Sequence, residues 1–482
     1  MAVRKKIITT ELQRESVSQP LEIQGEIPSW LQGTLIRNGP VTVNIDGVKN
    51  SHWFDGLAML HAFAFGEEGI YYSNKFLRSD AYKKVFKEGS LGYEGFAVDP
   101  CKSIFKRFFT WFVPYVHEPL HNANVNVAKL ADQYVALTET PLPVKFNKET
   151  LDTLGAFKYD DELPKEKCWE SAHPHFDPKR KESINYLIQY GKTSKYILYR
   201  ILDHSSERMI IAEIPVLEPA YMHTFAVTEN HIILTEFPFV LKPLDLLLQS
   251  LAFIKNFTWH PERGTQFIVV NRNSGKVVGK YKTDPFFAFH HVNAFEKEGT
   301  IIMDIIRYND PQIILGAIFN SNSDPQQNLQ DYYNYPTRLE RFHLSLETGK
   351  ITNETLFDKM CEFPRINERV DGCHYRFVYL TEAKDAGAVA RPAGDASLLY
   401  KVDTHTKEYL AWSEIGCYCG EPVFIANPMG NEEDEGVILA VVFDSRSHTS
   451  FLLILDGKSF KEIGRAKVSH SLPGGLHGQY FL

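Results

Sequence analysis

No apolar run in this chain reaches the roughly 18 uninterrupted residues that a membrane-spanning helix needs. Cysteine is scarce as well. The six at Cys101, Cys168, Cys361, Cys373, Cys417 and Cys419 are too few, in 482 residues, for a disulfide framework. Cys417 and Cys419 form a CxC, but no second pair at finger-like spacing completes a zinc site. Basic charge is not in excess: the net charge is -8, without long like-charge blocks, which excludes the basic face that nucleic acid requires. The opening "MAVRKKIITTELQ" carries basic residues but no apolar stretch of a secretion signal, so a cytosolic protein is expected. No Gly/Ser-rich linker or abrupt change of composition divides the chain, and residues 1–482 are read as one domain. Strands and helices do not alternate over long distances, which argues against a doubly wound α/β fold.

Short β-type runs recur instead. "ESINYLIQYG", "HIILTEFPFV", "TQFIVVNR", "GTIIMDIIRY", "EGVILAVVFD" and "SFLLILDG" are rich in Ile, Val, Leu, Phe or Tyr and bounded by Gly, Asn, Asp or Pro. "YMHTFAVTENHIILTEF", "FHHVNAFEKEGTIIMDII" and "GEPVFIANPMGNEEDEGVILAVVF" share one plan, in which a His or Glu opens a short strand, a polar turn follows and a strongly apolar strand returns. Hairpins repeated radially in this way build β-propellers, with about 40–50 residues per blade before insertions. An all-β propeller is the predicted fold.

Two stretches break the pattern. In "CKSIFKRFFTWFVPY", Ile104, Phe105, Phe108, Phe109, Trp111 and Phe112 recur at helical spacing among Lys102, Lys106 and Arg107. In "PLDLLLQSLAFIKNF", Leu244, Leu247, Leu248, Leu251 and Ile254 share one helical face, with Lys242 and Lys255 near the ends. Helices buried against the propeller would have this pattern. The mixture of apolar and basic residues also suits helices lying on a membrane surface, and Ile104, Phe105, Phe108, Phe109, Trp111, Phe112, Leu247, Leu248 and Leu251 are the expected contacts.

Four of the eighteen histidines stand out: His173 in "SAHPHFDP", His223 in "YMHTF", His290 in "FHHVN" and His477 in "LPGGLHGQYFL". Each lies at a strand edge beside aromatic, Gly or Pro residues. The first two intervals between them are about one blade each and the last spans several, which suits ligands delivered singly to a propeller axis and not an HExxH-type site on one helix. A metal-bound imidazole usually hands its second N–H to a carboxylate or carbonyl. Glu139 in "ALTETPLP", Glu362 in "CEFPRIN" and Glu421 in "GEPVFIANP" lie in apolar or Pro-rich surroundings, where a carboxylate must be paired. Taken alone, each of them is better explained as an ordinary buried ion pair.

The stretches "GTLIRNGP", "HWFDGLAMLHAF", "NVNVAKLADQYVALTET", "AHPHFDP", "YMHTFAVTENHIILTE", "FHHVNAFEKEGTIIMD", "CEFPRIN", "GEPVFIANP" and "LPGGLHGQYF", in this order nearly end to end, resemble the carotenoid cleavage oxygenases. The likeness is to the animal branch that includes the retinal pigment epithelium retinoid isomerase. It implies a seven-bladed β-propeller with a helical cap over the iron-containing face. It also implies one Fe(II) per chain held by His173, His223, His290 and His477, with Glu139, Glu362 and Glu421 behind the imidazoles. His175 and His291 fall outside the ligand set, and Val125 takes the place of a small side chain near a vacant iron position.

Such a site implies O2 as co-substrate and an activity that cleaves a carotenoid or apocarotenoid double bond into aldehyde or ketone products. The substrate would be a hydrophobic polyene, with the enzyme cytoplasmic, peripheral on a membrane surface and in need of no obligate protein partner. Cys101, in "DPCKSIFKRFF", matches a cysteine that the animal branch can lipidate. Two alternatives share the fold: isomerisation and hydrolysis of a retinyl ester on the same iron, and a carotenoid-binding propeller without catalysis.

Overall fold

Strand formation follows from residue type. Thr300–Tyr308, with four isoleucines in nine residues, is fully laddered to Thr337–Ser345, and Gly436–Asp444 to Thr449–Asp456. Apart from the half-buried Val441 and Phe443, their Ile, Val, Leu and Phe side chains are buried on both faces, each contributing about 1.5–3 kcal/mol relative to exposure. These are the middle strands of antiparallel sheets arranged as a seven-bladed propeller in the computed structural model, which describes residues 7–9, 15–45, 48–49, 53–88, 122–165, 168–248, 252–316, 335–382 and 396–482.

From the axis outward, blade 1 runs Gly478–Phe481, Gly33–Val41, Leu57–Gly66, Gly69–Phe76 and Ser16–Pro20. Blade 2 is Asn126–Leu130, Gln133–Thr138, Thr140–Phe146 and Thr153–Ala156. Blade 3 has a broken inner strand, Cys168–Glu170 and His175–Asp177, then Glu182–Gln189, Ser194–Leu202 and Met209–Val216. Blade 4 is Ala226–Val227, His231–Glu236, Thr265–Asn271 and Val277–Thr283. Blade 5 adds His291–Lys297 and Ile351–Phe357 on either side of the long pair above. Blade 6 is Cys361–Arg365, Phe377–Glu382, Leu399–Asp403 and Tyr409–Trp412. Blade 7 begins with Cys417–Cys419 and Val423–Ala426, continues through the second long pair to Glu462–Val468, and takes Glu22–Gly25 as its outermost strand.

The ring is therefore closed twice. The N-terminal region supplies the outer strands of blades 1 and 7, and Gly478–Phe481 pairs with Gly33–Val41 next to the axis. Gly25 permits the outer closure. Its φ is +89°, and a Cβ there would lie 2.2 Å from the Ile463 carbonyl oxygen. Blades are joined by apolar faces, as where Phe342 of blade 5 packs 5.5 Å from Phe267 of blade 4 and stacks 5.1 Å from Phe286.

In a four-stranded antiparallel blade, the connection between the second and third strands lies at the same end as the loop that enters the next inner strand. The insertions at 42–56, 237–264 and 309–336 therefore begin and end at the same end of the ring as the residues that open the inner strands. That end also carries the helices Asp80–Glu88, Pro243–Leu248 and Gln312–Gly316, and a two-stranded ribbon, Phe239–Leu241 with Phe257–Trp259.

One helix across 243–257 does not form. It stops at Leu248, and Phe253–Asn256 is a separate 3-10 turn. Ile254 is fully buried and Phe253 stacks on Trp169 at 4.6 Å, so the apolar spacing there serves the propeller wall. Leu244 faces outward at 66% exposure. Leu247 and Leu248 close the helix; Leu251, Cys101 and the six residues Ile104 to Phe112 lie outside the described residues. Among the described residues, no helix is long and apolar enough to cross a membrane.

Candidate metal centre

Each blade delivers one polar side chain to the axis at the cap end. His223 and His290 precede the inner strands of blades 4 and 5, His477 precedes that of blade 1, and His173 occupies the break in that of blade 3. Glu139 lies between the second and third strands of blade 2, Glu362 on the inner strand of blade 6 and Glu421 in the break of blade 7. Register shifts at His291/Asn293 and Glu362/Arg365 interrupt the ladders here, as bulges do where a side chain must be re-aimed.

The four imidazoles offer ligand atoms that all lie within 4.8 Å of one another. His223 hydrogen-bonds through Nδ1 to Glu139, His290 through Nδ1 to Glu362 at 2.6 Å, and His477 through Nδ1 to Glu421 at 2.9 Å. With each Nδ1–H donated to a carboxylate, the Nε2 atoms carry lone pairs and face the shared space. His290 Nε2 is buried without a hydrogen-bond partner, and the Nε2 atoms of His173 and His223 stand 3.0 Å apart. Lone pairs gathered in this way repel one another unless a cation lies between them. Burial, followed by the neighbouring imidazoles, pulls the pKa of His173 and of His477 well below the ordinary histidine value. Both rings are thus neutral, the form that binds a metal. Four imidazoles with three carboxylates behind them suit a divalent first-row ion and leave room for further ligands.

The supporting groups fix each ring. Burial opposes the charge on Glu362, but His290, the Phe363 N–H at 2.7 Å and the Tyr308 hydroxyl at 2.8 Å hold its pKa below the usual carboxylate value. Phe363 reaches that position with φ +50°, a left-handed conformation that is costly for an aromatic residue, and its ring packs against His290 and His477. Glu139 accepts from Tyr221. Glu421 accepts from Arg37 Nη1 at 3.1 Å and the Gly478 N–H at 3.0 Å, with Arg365 Nη1 at 3.4 Å. Burial depresses the Arg37 pKa and Glu421 raises it again; a guanidinium remains charged at neutral pH. Ser171 Oγ accepts the His173 N–H at 3.2 Å and donates to the His223 carbonyl at 2.7 Å, tying two of the histidines together. Val125 is buried in one apolar cluster with Ala172, Phe363 and Leu476, and its carbonyl accepts the His477 N–H at 3.2 Å.

The two neighbouring histidines are engaged elsewhere. His175 spans the axis, with Nδ1 2.9 Å from Asp371 and Nε2 3.1 Å from the Phe225 carbonyl. His291 lies between Thr224 and Thr235. Cys417 and Cys419 are buried in a strand, and among the described residues no cluster other than the four histidines gathers metal-binding groups.

The retinal pigment epithelial membrane protein family matches residues 10–482. The chain belongs to that family. Its relatives are the carotenoid oxygenases, and the chain is an enzyme of that class. It is 32% identical to β,β-carotene 15,15'-dioxygenase of Gallus gallus, over 97% of this chain and 96% of the relative. Carotenoid isomerooxygenase of Galleria mellonella is 31% identical, over 97% and 94%. Among solved structures, the cobalt-substituted Synechocystis apocarotenoid oxygenase superposes with a TM-score of 0.82 at 27% identity, over 98% of this chain and 97% of that one.

Arg37, Arg365, Tyr221, Tyr308 and Phe363 were not singled out from the sequence. Arg37 left one signal, an arginine inside the otherwise apolar strand of "GTLIRNGP".

Proposed function

We propose that the protein is a non-heme Fe(II) dioxygenase that cleaves one double bond of a carotenoid or apocarotenoid, converting C=C and O2 into two carbonyl groups. The observation that carries this reading is the ring of four imidazoles, three of them braced through Nδ1, whose lone pairs share one small space. His173, His223, His290 and His477 would hold one iron, and Glu139, Glu362 and Glu421 would fix three of the rings and offset its charge. Bound there, Fe(II) supplies the open coordination positions and the redox chemistry that O2 needs to react with an electron-rich alkene.

The chain's own residues do the positioning. Glu139, Glu362 and Glu421 keep the tautomer that points Nε2 inward. Phe363 packs against His290 and His477, and Val125, buried in the same apolar cluster, would limit access to one open position of a bound ion. The names of the relatives support a carotenoid substrate, and the exposed Leu244 on the cap end supports extraction of that substrate from a membrane surface by a cytoplasmic, peripherally bound enzyme.

The test is metal analysis of protein prepared under reducing conditions, with aerobic and anaerobic incubation on an all-trans apocarotenal and mass analysis of products. One iron per chain and O2-dependent aldehydes are expected. Iron with no O2-dependent product, but a cis alcohol from a retinyl ester, would replace the dioxygenase by an isomerohydrolase. Absence of iron would leave a carotenoid-binding propeller.

A further inference from the structure

The three carboxylates behind the imidazoles are held by different chemistry. Glu139 and Glu362 meet neutral donors, the hydroxyls of Tyr221 and Tyr308 and the Phe363 N–H. Glu421, 1% exposed, meets two guanidiniums, Arg37 at 3.1 Å and Arg365 at 3.4 Å. Among the described residues no Lys or Arg pairs with Glu139 or Glu362. Arg37 is itself 3% exposed and fixed further, with Nη1 donating to the Glu421 carbonyl at 3.0 Å and Nη2 to that of Leu476, the residue before His477, at 3.2 Å. Burying a guanidinium is expensive, and a tyrosine satisfies the equivalent carboxylate in two other blades, so hydrogen bonding alone does not account for a charge here.

The electrostatic consequence is specific. Three uncompensated carboxylates around a divalent ion would leave the centre net negative, whereas Arg37 offsets one of them, with Arg365 sharing its charge between Glu421 and the exposed Glu368 at 3.1 Å. We propose that Arg37, assisted by Arg365, is a positioning residue that cancels the charge of Glu421, makes His477 the weakest donor among the three braced imidazoles, and holds down the affinity of the centre for a divalent cation. This rests on the four imidazoles binding such an ion. A centre that is not over-neutralised keeps its pull on further ligands, which an oxygenase requires.

The experiment measures Co(II) binding to the metal-free full chain, by visible absorption and chelator competition, alongside thermal unfolding of the same metal-free samples. The wild type should bind one Co(II). Arg37→Gln, which keeps an amide donor and removes the charge, should bind about tenfold tighter, and Arg37→Lys should stay within about twofold of wild type. A merely structural arginine would weaken binding in both variants. If the wild type fails to bind Co(II), the metal-site reading itself falls. If it binds but folded Arg37→Gln binds equally or less tightly, the present inference is overturned. Should Arg37→Gln not fold, Arg365→Gln at the more exposed partner should bind about threefold tighter, and unchanged or weaker binding there refutes the proposal as well.

Discussion

Replacing Glu362 by Gln separates the charge of one carboxylate from its shape. In the wild type, Oε2 accepts from His290 Nδ1 at 2.6 Å and from the Phe363 N–H at 2.7 Å, while Oε1 accepts from Tyr308 at 2.8 Å. A glutamine whose carbonyl takes the Oε2 place keeps the first two bonds, and its amide can donate to the Tyr308 hydroxyl once that hydroxyl turns. The packing survives and the charge does not. Two charge-assisted bonds become neutral ones, which costs about 1–2 kcal/mol of folding stability. The bound ion loses one of its carboxylates, and precedent for groups behind a metal ligand sets the loss of metal affinity at about 10- to 100-fold, or about 1.4–2.7 kcal/mol. The assay is anaerobic titration of metal-free protein with Fe(II) or Co(II) against a chelator, paired with urea unfolding. Wild-type affinity in a folded Glu362→Gln protein would make Glu362 an ordinary buried acceptor whose charge the metal does not use.

His223→Ala should abolish metal binding and turnover together, and retained turnover would mean that the ligand assignment is wrong. Glu421→Gln should cost more stability than Glu362→Gln, about 3–5 kcal/mol in urea unfolding, since it leaves the buried Arg37 without its carboxylate while Arg365 keeps Glu368; equal costs would show that Arg37 is satisfied by carbonyls alone. The metal-free protein should lose stability as the pH falls below about 6.5, because the folded state keeps His173 and His477 neutral while the unfolded chain takes up their protons. His61 and His291, both pushed down to about 3 by burial, act in the same direction. His175, raised by Asp371 against its burial, contributes slope only at and above 6.5, so it does not mask the effect. A urea midpoint that stays flat from pH 7 to 5 would refute that reasoning. The pair Phe108→Asp and Phe109→Asp should release the protein from liposomes without loss of metal, and persistent binding would return that segment to the protein interior.

The propeller was legible because its signal is local: apolar runs of strand length, punctuated by turns, with His or Glu at their openings. "ESINYLIQYG" and "GTIIMDIIRY" lie on the strands Glu182–Gln189 and Thr300–Tyr308. The seven candidate residues were legible as a set through the family resemblance, and the structure brings them to one place. Helix 243–257 misled because its spacing of leucines and isoleucine suits a helix on a surface and a turn plugged into a wall equally well, and Ile254 and Phe253 took the second course. Arg37 could not be assigned to Glu421 from the sequence, since 384 positions separate them and only closure of blade 1 against blade 7 brings them together. Asp371, which occupies the other side of His175, is similarly remote.

The split between the openings of the inner strands and the connections between second and third strands has an evolutionary reading. Residues at or beside the first set of positions converge on the axis in six blades, and Glu139 of blade 2 reaches it from a connection between second and third strands. The insertions at 42–56, 237–264 and 309–336, by contrast, leave and rejoin the second and third strands of blades 1, 4 and 5. Insertions can lengthen, shorten or change sequence without shifting a single blade, because the ladders that carry the convergent residues do not pass through them. Exchanging those insertions between two such propellers is therefore a change of surface that leaves the convergent histidines and glutamates in place.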